Sequence, residues 1–441
     1  MRRAVLILTI LAVTLTACEL PSWVGGGPKK IKRTPGERTD VILDRPQLTP
    51  DVEVASEVIE VPDQAPLTDW TSRNDAMLTP HIGITGLEHE DDATIGAGNK
   101  FSRNEVPAPI IVGGTVFAMD AAGHISAHDA ADIDHVKWRS KAAATPNDED
   151  MLGGGLAENG DVLYAATGYG KLAALDIATG KKKWVINVGA PVRGAPAVAA
   201  DAHRVLVLTA DNQTLAFDTE SGEPRWEHRG IRESAGYFSM TGPVVSEGIV
   251  ISAYSSGELF AIRAETGSVL WTDTVSSPVK TSASAVFSGI DADPIVQDGV
   301  VVVTSASGQM QASALLNGRP LWQAKIGSHT TPWSAGNAIF VLSDTHDLAA
   351  VFKRDGKVRW AESLMERDTM MKDVTPPLYG PILAGNAVVI ATGNGKIDTF
   401  RPQDGQRLGS FEVTDGIASN PVAAGGALYF ISKDAKLHKY Y

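Results

Sequence analysis

Two histidines four residues apart, His124 and His128, and one cysteine, Cys18, are the side chains whose type and spacing first suggest chemistry. The histidine pair has metal-ligand spacing, but it falls in a strand-like stretch, where four residues separate two side chains by ~13 Å. One metal ion could not take both directly. Gly168-Tyr-Gly-Lys171 reads as a turn. The chain contains no Gly-x-Ser-x-Gly elbow, no Walker loop and no His-Glu-x-x-His. No nucleophile, base and oxyanion site come together in the sequence. With a single cysteine, an internal disulfide, a Cys-ligated zinc and an iron–sulfur cluster are excluded. The expectation is a protein with no catalytic residue, no metal and no cofactor.

Cys18 has a different chemistry. Residues 1–17 begin with Arg2 and Arg3 and continue as an almost wholly apolar run from Ala4 to Ala17. That run is short of the ~20 residues that span a bilayer as a helix, and it reads as the hydrophobic region of a signal peptide. It ends Leu15-Thr16-Ala17-Cys18, the pattern of a bacterial lipobox, in which the cysteine is lipidated and becomes the new N-terminus. Several acyl chains on one residue anchor stably. Glu19, rather than Asp, follows the cysteine, which favours the outer membrane, facing the periplasm. Residues 18–66 hold seven of the 24 prolines and a Gly25-Gly26-Gly27 run without apolar periodicity. They read as a disordered periplasmic tether.

The elements that would position any site lie in residues 67–441. A net charge of −13, from 39 basic and 52 acidic residues, argues against nucleic acid as a partner. From Ala108 onward the chain repeats. Leu172-Ala-Ala-Leu-Asp-Ile-Ala-Thr-Gly180-Lys-Lys-Lys-Trp184 returns as Leu215-Ala-Phe-Asp-Thr-Glu-Ser-Gly222-Glu-Pro-Arg-Trp226 and as Phe260-Ala-Ile-Arg-Ala-Glu-Thr-Gly267-Ser-Val-Leu-Trp271. Weaker copies end at Trp138, Trp322 and Trp360, and the intervals between tryptophans are 46, 42, 45, 51 and 38 residues. Units of this length, with strands too apolar to have a wet face, are propeller blades of four strands. The Asp-x-x-Thr-Gly stretch is a turn, with Asp176 or Asp218 accepting backbone N–H bonds and glycine supplying a positive φ. The tryptophan enters the outermost strand and wedges against the next blade.

Six blades end in a tryptophan, and a seventh, Leu378 to Phe411, keeps Asp404-Gly405 but has Gly409 in the tryptophan's place. Ile417 to Tyr441 supplies three strands of an eighth, and the stretch between Pro80 and Gly96 can supply the fourth. The predicted fold is all-β: an eight-bladed β-propeller of four-stranded antiparallel blades, its ring closed by N- and C-terminal strands.

The unit Ala-x-Asp-x-x-Thr-Gly-x-x-x-Trp resembles the quinoprotein repeat, found in pyrroloquinoline-quinone dehydrogenases and in the BamB family of outer-membrane β-barrel assembly lipoproteins. Joined to a lipobox and eight blades in a chain this short, it is similar to the BamB family. That resemblance implies a non-enzymatic scaffold on the periplasmic face of the outer membrane, working with the other subunits of the barrel assembly machinery. In the family, a loop patch after the third tryptophan strand and an acidic loop one blade later contact a POTRA domain of the barrel subunit BamA. The first, Leu-Ser-Leu-Arg then Gly-Glu-Ser-Ala, corresponds to Arg229-Gly230-Ile231-Arg232-Glu233-Ser234-Ala235, so the resemblance implies Ile231 and Arg232, while Arg229 replaces an apolar residue. The second, Leu-Ser-Asp-Val-Asp-Thr-Thr-Pro, corresponds to Phe287-Ser288-Gly289-Ile290-Asp291-Ala292-Asp293-Pro294; it implies Phe287 and Asp291, with Gly289 replacing the first acid. The alternatives are a periplasmic quinone-dependent dehydrogenase and a ligand-binding propeller unrelated to barrel assembly.

Overall fold

A computed structural model describes residues 48–441, apart from 79–82, 85, 86, 89, 97–104, 145–151, 233–238, 276–288, 365–375 and 414. It contains eight four-stranded antiparallel sheets. In each of the first seven the strands follow one another in chain order from the inner to the outer edge, from Ile110–Ser140 in blade 1 to Leu378–Glu412 in blade 7. Blade 8 takes its inner three strands from Val422–Ala424, Ala427–Ile431 and Lys436–Tyr440, and its outer strand is Glu90–Thr94, with Glu90 opposite Tyr440. The two ends of the chain therefore close the ring in one sheet, as the repeat count predicts, and no sheet edge is left between blades 8 and 1.

The repeat residues explain the blade. Second strands such as Ile249–Ala253 are buried at every position, because neighbouring blades cover both faces. Outer strands alternate between half-buried and exposed residues, as in Pro224–Arg229. In six blades the tryptophan stands directly across from an alanine, as Trp184 does from Ala174 and Trp271 from Ala261, and the register shifts one step beyond the pair. A small residue and a bulge make room for the indole to lean toward the next blade. There it donates its N–H to a backbone carbonyl: Trp138 to Ile177, Trp184 to Thr219, Trp226 to Ala264, Trp271 to Leu315, Trp322 to Lys353 and Trp360 to Pro402, at 2.6–3.2 Å. The ring lies over the turn glycine of that blade, so closely that a Cβ on Gly318 would sit 2.7 Å from Trp271. Gly318 also has a φ of 67°, so the turn needs glycine twice over. Asp176 accepts from Thr179 N–H at 2.9 Å, as the turn chemistry requires.

One boundary differs from the sequence reading. Residues 48–66, assigned there to the tether, lie along blade 6 and beyond. Asp51 and Val358 exchange hydrogen bonds at 2.8 and 2.7 Å, the Glu57 carboxylate takes both terminal nitrogens of Arg354 at 2.7 Å, Glu53 pairs with Lys357, and Asn337 accepts from Glu60 N–H at 2.9 Å. Val54 and Ile59 are buried in the main core. Two buried aliphatic side chains are each worth about 1.5–3 kcal/mol over exposure, enough to hold a strap of this length against the sheet. Cys18 and the signal segment lie outside the described residues.

Candidate functional site

Antiparallel order sends two sets of connections to the same end of the molecule: the long loops joining one blade's outer strand to the next blade's inner strand, and the tight turns between second and third strands. Ile231 and Arg232 follow the outer strand of blade 3 on this loop face. The backbone of Ile231 is pinned on both sides: its N–H donates to Glu258 Oε2 at 2.6 Å and its carbonyl accepts from Asn212 Nδ2 at 2.8 Å. Its side chain is nonetheless 63% exposed. Arg232 is exposed over 80% of its side chain, with Asp211 at 4.0 Å. Asn212 Oδ1 also accepts from the N–H and hydroxyl of Ser255 at 3.1 and 3.0 Å, tying this loop to the next blade's turn. Ile290 N–H donates to Tyr254 O in that same turn at 3.2 Å. The two loops implied by the resemblance are thus neighbours, as expected for one rim.

Asp291 is placed differently from Ile231 and Arg232. It is 4% exposed rather than presented to solvent. Its Oδ2 accepts from His329 Nδ1 at 3.1 Å, and Arg193, itself buried, lies 3.9 Å from Oδ1 and donates to Ile290 O and Ser239. That hydrogen bond raises the pKa of His329 above its usual value. Phe287 lies outside the described residues.

The Asp291 cluster belongs to the wall of a central channel of about 940 Å³, lined from all eight blades. The wall is built by a feature that the sequence reading passed over. Pro109, Pro196, Pro243, Pro294, Pro377 and Pro421 each stand immediately before an inner strand and line the channel. Proline fits the first position of a strand, and at those six positions it removes an N–H donor. The signal was present in the sequence as one proline at a fixed place in the repeat.

Residues 70–78 come into the channel from the opposite end. Trp70 bridges to Ile111 and stacks on Trp333, ring centroids 5.6 Å apart. The short helix α1 (Arg73–Leu78) is fastened by Asn74 Oδ1, which accepts from Val296 N–H at 3.1 Å, and by Met77 O, which accepts from Gln297 Nε2 at 3.1 Å. Arg73 donates to the carbonyls of Thr331, at 2.7 Å, and Pro381, and its guanidinium lies 5.6 Å from the Trp333 ring centroid. Burial lowers its pKa to about 10. Glu105, which accepts from Asn420 Nδ2 at 2.9 Å, is pushed up to about 7 by burial and then by the nearby Asp293. Burial raises Asp293 too, although Gly242 N–H donates to it at 2.7 Å.

The remaining candidates are structural. His128 Nδ1 contacts Ile133 O at 2.6 Å and Nε2 contacts Ser126 at 2.9 Å, while His124 bonds Asp120 at 2.9 Å, so the two rings serve separate partners. Asp415, Asp434 and His438 converge as metal ligands would, but Lys436 Nζ lies 3.7 Å from each carboxylate, and Glu90 and Ser432 occupy both nitrogens of His438.

Eight blades, six of them latched to the next by a tryptophan over a turn glycine, define a propeller of the quinoprotein-repeat class. Residues 121–362, more than half of the chain, match the family described as outer membrane protein assembly factor BamB, and the chain belongs to that family. It is 26% identical over 372 residues to outer membrane protein assembly factor BamB of Burkholderia pseudomallei (strain K96243), covering 82% of this chain and 90% of that one. With the protein of the same name from Escherichia coli (strain K12) it shares 24% over 358 residues, 78% and 85% of the two chains. The fold superposes on the crystal structure of BamB from Moraxella catarrhalis with a TM-score of 0.65 at 19% identity, over 79% of this chain and 99% of that one. A europium-containing methanol dehydrogenase superposes as well, TM-score 0.66 at 14% identity, over 85% and 89%. At such identities the likeness is one of fold. Pyrroloquinoline quinone, the cofactor of the quinoprotein dehydrogenases, carries three carboxylates. The described channel lining offers Asp75, Glu105, Glu158, Asp291, Asp293 and Asp344, with Arg73 as its one arginine, already engaged by two carbonyls. That donor set does not fit a trianion.

Proposed function

We propose that this protein is a non-enzymatic scaffold in the assembly of outer-membrane β-barrel proteins, held on the periplasmic face of the outer membrane by acylated Cys18. Its loop face, at Ile231 and Arg232, would receive a POTRA domain of a BamA-type barrel subunit and hold it beside the other assembly subunits. The observation that carries the reading is Ile231: an aliphatic side chain 63% exposed on a backbone whose N–H and carbonyl are both bonded. An apolar anchor on a rigid support with an exposed cation beside it is the make-up of a small polar-rimmed interface, where a few residues hold most of the binding energy. Rigidity lowers the ordering cost of docking.

The test is capture of the barrel subunit from detergent-solubilised membranes. Ile231→Ala and Arg232→Glu are expected to weaken capture, each by about 2 kcal/mol, with an unchanged melting temperature, because solvent-facing changes seldom move stability by more than ~0.5 kcal/mol. In the same preparation Cys18→Ser should lose its acyl label and leave the membrane fraction. A folded Ile231→Ala/Arg232→Glu double variant that captures the subunit at the wild-type level would sink the assignment.

A further inference from the structure

The channel carries more negative charge than the chain itself balances. Six carboxylates line it, and the cationic groups beside them are the guanidinium of Arg73, the buried guanidinium of Arg193, 3.9 Å from Asp291, and the imidazole of His329, bonded to Asp291. Asp293 sits close enough to Glu105 to raise its pKa further after burial, and Arg73, a cation acting on both, is fastened to backbone carbonyls rather than bonded to either. More deeply buried, with a side chain 1% exposed, Asp291 presents Oδ1 without a hydrogen-bond donor. A buried acceptor in that state loses its hydration without replacement, which is costly unless something supplies a donor. The six wall prolines bring no N–H of their own and suit an aliphatic stem. Arg73 demonstrates that a guanidinium can be housed here, over an indole face and against carbonyls.

We propose that the channel is a binding site for an organic cation, an ammonium or guanidinium group on an aliphatic stem, seated against Glu105 and Asp293 with Asp291 behind them. Two sources share this chemistry: the Lys or Arg side chain of an extended polypeptide entering from the loop face, and a free polyamine. Glu105 adds a signature. Its pKa of about 7 leaves it about half protonated at neutral pH, and the charged groups acting on it are Asp293 and Arg73. A cation seated beside it favours the carboxylate and expels the proton, up to about half a proton per site at pH 7.

The experiment is calorimetric titration of the full chain at pH 7 with spermidine and, separately, with a capped pentapeptide carrying one Arg among alanines, in phosphate and in Tris. Saturable heat that differs between the buffers by the ionisation of up to half a proton is expected. A response to the peptide alone identifies a polypeptide side chain as the source, and one to spermidine alone a polyamine. Glu105→Gln retains an acceptor for Asn420, and should weaken binding about tenfold or more and abolish the buffer dependence; Asp293→Asn should weaken it independently. Absence of saturable heat for both probes up to ~10 mM overturns the proposal. So does wild-type affinity in the two folded variants, or equal heat from calcium chloride that competes with the amine, which would make this a metal site.

Discussion

Trp271 and Gly318 show how far single residues decide this ring. The indole is 9% exposed, donates to Leu315 O at 2.6 Å and covers a glycine where a Cβ would stand 2.7 Å from the ring. Trp271→Ala should cost about 3–5 kcal/mol, because it removes both the packing and the donor for a buried carbonyl. Gly318→Ala should cost about 1–3 kcal/mol from overpacking, with a positive-φ penalty on top. In the double variant the methyl enters the space the indole has left, so the two losses should fall short of their sum by 1 kcal/mol or more. Urea unfolding of the four proteins measures this, and strict additivity would show that the ring and the turn do not press on each other. The same residues explain why the blades were legible: alanine opposite the indole, aspartate and glycine in the turn and tryptophan in the outer strand all act within ~15 residues of one another and recur. Asp291 was not legible as a buried group, because what encloses it, Arg193 and His329, comes from other blades.

Among the elements, the strap of residues 48–66 has the least sequence signal and the clearest consequence. Its apolar residues Val52, Val54, Val58, Ile59 and Val61 alternate irregularly with acids, and the strap's bonding partners lie about 300 residues away on blade 6. No local period could announce a contact whose other half is so distant. Its acids read as solvated charge, yet Glu53 and Glu57 are held below their usual pKa by hydrogen bonds from Lys357 and Arg354. These surface pairs contribute little on their own, so the buried pair should dominate. Val54→Asp/Ile59→Asp is expected to free the strap: limited proteolysis should then cut ahead of Trp70 while the blades stay resistant. Resistance of the strap in that variant would mean that its polar bonds suffice.

The whole molecule is a ring of unequal joints. Six successive joints carry the tryptophan latch; blade 7 meets blade 8 through Phe411 and Tyr440, ring centroids 5.2 Å apart, and blade 8 meets blade 1 through Tyr429 and Lys439, which donate to Ala130 O and Ala131 O at 3.4 and 3.2 Å. Deleting residues 416–441 removes three strands of blade 8 and the partner of Glu90–Thr94. Exposed strand edges template association, so this truncation should aggregate or be degraded, as size-exclusion chromatography would report. A stable monomer would show that seven blades close unaided.

The route of the strap decides how the ring bears mechanical load. A pull on the N-terminal end meets Asp51, Glu53 and Glu57 on blade 6 first, then Leu67 and Trp70, then Arg73 inside the channel, and only afterwards the Glu90–Thr94 strand that seals the ring. Loaded in shear across several bonds on a latched blade, the strap takes up tension that would otherwise peel one outer strand from the sheet that closes the circle. It is a strain relief, placed between the start of the strap and the seam that such a pull would open.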